Sequence, residues 1–235
     1  MKKTNLTFCV SLFILLGVTT HAQTADEIIS KHVEARGGAE KLKALQTMVM
    51  EGSMNQGGTE IVMKYYYSNN KATKVEFSVM GQTGYNLVTT TEGWKFNPFA
   101  GNTEPEALTP EELKDAQSQL DLQGPLFDYK AKGHTVEYLG KVSEQGQEFF
   151  KLKLTRAGGK VATYFLDKNY LMAKAITTSL AQGSEQEVIA EYSDYRKTPE
   201  GYMIAFKRIS GANEISFDKA EINPKIDDAV FKPAK

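Results

Sequence analysis

Residues 47–68 read TMVMEGSMNQGGTEIVMKYYYS, and the pattern of this stretch has a period of two. Met48, Met50 and Met54 alternate with Val49, Glu51 and Ser53. After Gln56-Gly57-Gly58, the residues Ile61, Met63, Tyr65 and Tyr67 alternate with Glu60, Val62, Lys64 and Tyr66. Successive side chains of a strand point to opposite faces, so two such runs joined by a glycine turn make an antiparallel hairpin with one apolar face.

The same pattern continues toward the C-terminus. Segments 73–79, 85–91 and 94–96 extend the hairpin into a five-strand meander. The meander breaks once, at Thr109-Pro110-Glu111-Glu112, which supplies a cap, a proline at the first helical position and acids in the first turn. That helix is predicted to run through Leu113, Ala116 and Leu120 to about Leu122. Strands then resume at 134–142, 148–155, 160–166, 171–179, 185–196, 202–210 and 214–222, separated by turn residues such as Gln145-Gly146, Gly158-Gly159 and Gly211-Ala212-Asn213. About a dozen strands exceed what a flat open sheet holds, so the sheet must curl into a barrel or half-barrel. The predicted class is mainly β with α (α+β): a curved antiparallel sheet whose concave side is covered by helices.

Toward the N-terminus the period lengthens. Thr24-Ala25-Asp26-Glu27 is a capping box, Ile28, Ile29, His32, Val33 and Arg36 follow at helical spacing, and Gly37-Gly38 supplies a left-handed stop. A short helix over 39–45 leads into the sheet. Before it stand Met1-Lys2-Lys3, an apolar run over 6–18 and Thr20-His21-Ala22. That order is a secretory leader, and the run is shorter than the roughly 20 residues a membrane-spanning helix needs. Residues 1–22 are therefore expected to be a cleaved signal peptide and residues 23–235 one exported domain. Cys9, the single cysteine, would leave with the leader, so no disulfide or acyl anchor is expected in the remainder.

The formal net charge of −1 gives no basic stripe for nucleic acid or anionic lipid. Catalytic groups are sparse. His32 reads as a packing residue beside an apolar stripe and His134 as a hydrogen-bonded loop residue; neither belongs to a zinc pattern. Ser68-Asn69-Asn70-Lys71 has the spacing of a nucleophile motif but lies in a hairpin turn. No enzyme activity, metal or cofactor is predicted. The concentrated feature is apolar: Met48, Met50, Ile61, Met63, Tyr65, Tyr67, Phe77, Tyr85, Trp94 and Phe96 are the candidate residues for an apolar concavity. Unbranched thioethers repack readily around a flexible chain, and an ordinary core beneath a covering helix fits the same residues.

The run Ile28 through Leu42, Thr91-Glu92-Gly93-Trp94-Lys95-Phe96-Asn97-Pro98, Gly124-Pro125-Leu126-Phe127-Asp128-Tyr129, Tyr164-Phe165-Leu166-Asp167, Tyr192-Ser193-Asp194-Tyr195-Arg196 and Ile226 through Phe231 occur in an order that resembles the LolA-like superfamily of periplasmic lipoprotein carriers and outer membrane lipoprotein-sorting proteins. The resemblance implies an unclosed barrel plugged by helices, located in the periplasm and binding lipid or lipoprotein acyl chains without catalysis. The best-known carriers tie their closed state with an arginine; Arg36, Arg156, Arg196 and Arg208 are the arginines beyond the leader, and none sits in a matching motif. The expected function is a monomeric carrier or chaperone whose partners are lipid or acylated lipoprotein cargo. The alternative is an envelope protein-interaction or sensory module on the same fold.

Overall fold

The hairpin at 47–68 forms the middle of the sheet. In the computed structural model, which describes residues 23–181 and 184–234, β1 (Thr47–Gln56) pairs with β2 (Thr59–Ser68) so that Met48 faces Tyr67, Met50 faces Tyr65 and Met54 faces Ile61. β3 (Ala72–Val79), β4 (Gln82–Thr89), β5 (Gly93–Phe96) and the two-residue β6 (Glu106–Ala107) carry this meander to one edge. The leader expected over 1–22 lies outside the described residues.

From β6 the chain crosses the sheet instead of continuing it. α3 (Pro110–Ala116) begins on a capping box in which Thr109 and Glu112 bond each other's backbone amides. The helix was expected to reach about Leu122, but it ends at Ala116 and tightens into a 3-10 turn, Gln117–Leu120. Attachment to the sheet explains the change: Gln117 Nε2 donates to the Thr90 carbonyl at 2.9 Å, and the Leu120 carbonyl accepts from the Asn70 amide at 2.8 Å. The chain reaches the far edge at β7 (Thr135–Glu144). It returns through β8 (Gln147–Thr155), β9 (Val161–Leu166), β10 (Met172–Ala181), β11 (Ser184–Lys197) and β12 (Met203–Ser210) to β13 (Asn213–Ile222), which pairs with β1.

The result is one 13-stranded antiparallel sheet in the order β6-β5-β4-β3-β2-β1-β13-β12-β11-β10-β9-β8-β7. β6 and β7 do not pair, so the barrel is unclosed. Two meanders meet at the β1·β13 seam, where Met48 faces Ile222 and Met54 faces Ile215. Gly52 lies at a register shift in this seam, and a Cβ there would stand 2.2 Å from the Ser216 carbonyl oxygen.

Helices cover one face. α1 (Ala25–Ala35) carries the expected Thr24–Glu27 capping box and buries Ile28 and Ile29 against Phe150, Leu152, Leu154 and Leu166 of β8 and β9. Leu152, Leu154 and Leu166 are fully buried, and each such side chain contributes about 1.5–3 kcal/mol relative to exposure. α2 (Ala39–Ala44) packs Leu42 with Leu45, Phe127 and Tyr202. No described helix is long and apolar enough to cross a membrane.

Candidate functional site

Between the covered face of the sheet and these helices lies a cavity of about 440 Å³. This falls within the roughly 300–1,000 Å³ typical of small-molecule pockets. Its floor is Met48 and Met50 of β1 with Tyr65 and Tyr67 of β2. Its roof is the crossing segment, with Ser118, Gln119, Leu122 and Leu126, and one end is formed by His32 of α1 and Arg36, which caps that helix. Tyr164, Met172, Tyr192 and Tyr195 wall the side toward β9–β11.

The roof is held by specific bonds. Asn69 lies in the 68–71 turn and is buried; its Oδ1 accepts the Leu122 amide at 3.1 Å. The nucleophile-like spacing in that turn thus serves an anchor. Lys132 pairs with Asp121 at 2.8 Å and also donates to the Gly124 carbonyl at 2.9 Å. Arg36 Nη1 donates to the Gln123 carbonyl at 2.5 Å, tying α1 to the roof. No sequence motif marked this arginine.

Of the ten candidate residues, Met48, Met50, Tyr65 and Tyr67 line the cavity. Ile61, Met63 and Phe77 share their face of the sheet but pack beside the cavity, with Ile215 and Phe217. Tyr85, Trp94 and Phe96 lie on the opposite face, which corrects their expected placement in the concavity. Register decides this: Tyr85 is paired with Glu76 and Phe96, and Leu87 with Lys74 and Trp94, while Val75 and Phe77 of β3 face Tyr65 and Met63. The outer face of these strands is itself buried, because the Tyr85 hydroxyl bonds both backbone groups of Ala234 at 3.0 Å and the Lys74 ammonium sits 4.7 Å from the Tyr85 ring. Apolar composition alone does not reveal which covered face holds a cavity.

The polar lining escaped the sequence reading. Arg36, Arg156 and Arg208 all border the cavity, whereas no Asp, Glu, Lys or Cys does among the described residues. Arg208 faces Tyr192 on one side and Ile215 on the other, in a row that continues to Met54 and Ile61. Its Nε is buried with no hydrogen-bond partner. The one available signal was the short turn at Gly211-Ala212, which fixes Arg208 opposite an apolar residue.

Burial raises the phenol pKa of Tyr65, Tyr67, Tyr164 and Tyr195 above the ordinary value, so these rings stay neutral and can donate. His32 is 3 % exposed, and its Nδ1 lies 2.7 Å from the Tyr170 carbonyl. That distance assigns the ring proton to Nδ1. Burial, reinforced by Arg36, pushes its pKa down to about 4, so it is uncharged at neutral pH. His134 accepts the Ala157 amide at 3.2 Å in its loop. No group of three or more His, Cys, Asp or Glu side chains arranged for a metal occurs among the described residues.

No protein-family profile and no curated protein matches the sequence. Solved structures do. A LolA superfamily protein from Nitrosomonas europaea is similar with a TM-score of 0.55 and 14% identity, covering 90% of this chain and 98% of that one. A DUF1329 family protein from Desulfovibrio piger gives a TM-score of 0.57 at 12% identity, with the same coverage of 90% and 98%. A candidate outer membrane lipoprotein-sorting protein domain from Vibrio parahaemolyticus gives 0.52 at 13% identity, covering 88% and 95%. The similarity extends over nearly the whole of each chain, and the protein has the LolA-like half-barrel fold.

Proposed function

We propose that this protein is a non-enzymatic periplasmic carrier or chaperone that binds lipid or lipoprotein acyl chains in the roofed cavity and serves outer membrane lipoprotein sorting. In this reading the working unit is a monomer of residues 23–235, released from the leader at 1–22. The observation that carries it is the cavity, floored by Met48, Met50, Tyr65 and Tyr67 and closed by a segment bonded to the 68–71 turn through Asn69 and to the end of α1 through Arg36. An acyl chain gains about 0.8 kcal/mol for each methylene it buries. Flexible methionines accommodate chains of differing bend. The LolA-like fold and the lipoprotein-sorting description of the Vibrio protein support the same reading.

The test is displacement of a fluorescent acyl probe from the purified protein, with native mass spectrometry to detect retained lipid. Met50→Trp, which fills the floor, is expected to weaken acyl binding about ten-fold while leaving the fold intact by circular dichroism. Absence of any acyl complex in the parent protein would overturn the carrier reading. Capture of an envelope protein by in situ crosslinking, with no acyl binding, would favour the interaction-module reading instead.

A further inference from the structure

We propose that the cavity selects anionic amphiphiles, in which an acyl chain carries a carboxylate or phosphate head, and that Arg208 is the residue that receives the head. This rests on the acyl-binding reading above and adds the charge of the ligand to it.

Three of the four arginines beyond the leader border one cavity, and no carboxylate borders it with them. Several cations elsewhere are matched: Lys64 with Glu51 at 2.8 Å, Lys132 with Asp121 at 2.8 Å, and Arg196, which lies outside the cavity, with Asp194 at 2.5 Å. Arg36, Arg156 and Arg208 form no such ion pair among the described residues. Two of them act on neighbours already in place: Arg36 donates to the Gln123 carbonyl, and the Arg156 charge partly offsets the burial-raised pKa of the Tyr164 phenol. Arg208 keeps a buried Nε without an acceptor.

Arg208 is half-buried, and its Nε, shut off from water with no acceptor, carries a penalty that an arriving anion removes. The planar fork of Arg fits carboxylate and phosphate through paired hydrogen bonds, and an apolar wall strengthens the attraction by excluding water. Met48, Met50 and Phe217 line the same cavity as Arg208, so a head at the guanidinium has an apolar surface for its chain along the floor. The neutral tyrosines nearby add donors and no competing charge.

The experiment compares four ligands of one chain length, bearing a carboxylate, a phosphate monoester, a primary alcohol or a trimethylammonium head, by displacement of a neutral fluorescent acyl probe. At least one acid is expected to bind about ten-fold tighter than the alcohol, with the ammonium ligand weakest. Arg208→Gln should remove most of that preference while the alcohol stays within about two-fold of its parent affinity, and Arg196→Gln should change neither. Whichever acid binds tighter identifies the head as carboxylate or phosphate.

Equal affinity for all four heads would overturn this proposal and leave acyl binding standing. Failure of every ligand, the alcohol included, would overturn the carrier reading and this one with it. Displacement by acetate or inorganic phosphate as effective as by the acyl acids would overturn the amphiphile in favour of a free-anion site. The head-group series on the parent protein decides the matter even if Arg208→Gln does not fold.

Discussion

Protonating His32 places a charge in a pocket that the fold has dried. The imidazole is 3 % exposed and has a pKa near 4 against an ordinary 6.5, with burial as the main cause and Arg36 second. Below pH 6.5 the unfolded chain takes up this proton and the folded chain does not, so stability rises with pH through this window and falls as pH drops from 6.5 to about 4. The full effect is roughly 3 kcal/mol, reached near the lower limit. Urea unfolding of the parent and His32→Gln at several pH values should show a steeper acid loss in the parent across this window; parallel curves would contradict the assignment. The sequence already showed His32 as a packing residue, from its place on the apolar stripe of α1. It did not show the cavity beside it, because Tyr65, Tyr164 and Tyr195, which line that cavity with His32, come from segments far apart in the chain.

Elements were legible where their signals are local. The caps at Thr24 and Thr109, the glycine turns and the period-two runs place α1, the start of α3 and twelve of the strands within a few residues of their positions. β6 was missed, since two residues carry no periodicity. The phase of β4 and β5 was also missed: the sequence shows alternation, but only the pairing of Tyr85 with Glu76 shows which face it belongs to. The largest omission was the β1·β13 seam, which no adjacent turn encodes. Gly52 is its tightest point, where a Cβ would meet the Ser216 carbonyl oxygen at 2.2 Å and Phe217 Cα at 2.7 Å. Backbone atoms of a paired strand have little room to yield, so Gly52→Ala should destabilise the protein by about 2–4 kcal/mol in chemical unfolding. Gly57→Ala is a contrasting case, because a Cβ there meets nothing within 4 Å and only its φ of 59° resists. If the two variants lose equal stability, close approach at the seam is not what Gly52 provides.

At the scale of the whole molecule, two meanders of local hairpins could in principle unfold separately. Two structural ties oppose this: the seam itself, and α3, whose Glu112 pairs with Lys95 of β5 at 3.3 Å while Asp115 accepts the Ser179 hydroxyl of β10 at 2.8 Å. The roof adds a third tie, since Leu122 packs on the Met48 cluster and Leu126 on the Leu152 cluster. Trp94, the single tryptophan, stands on β5 in the first meander, so its fluorescence reports that meander alone. Leu126→Ala removes a fully buried side chain from the core of the second meander, at a cost of about 2–5 kcal/mol. In a single cooperative unit, that loss moves the Trp94 transition as far as it moves the far-ultraviolet circular dichroism, although Leu126 belongs to a different core cluster. A Trp94 midpoint that stays in place while the dichroism splits into two steps would mean that the halves fold independently and that the cavity between them forms only when they dock. Coincident shifts would mean that any opening of the roof is a local event, in which the bonds at Asn69, Arg36 and Lys132 part while the seam holds.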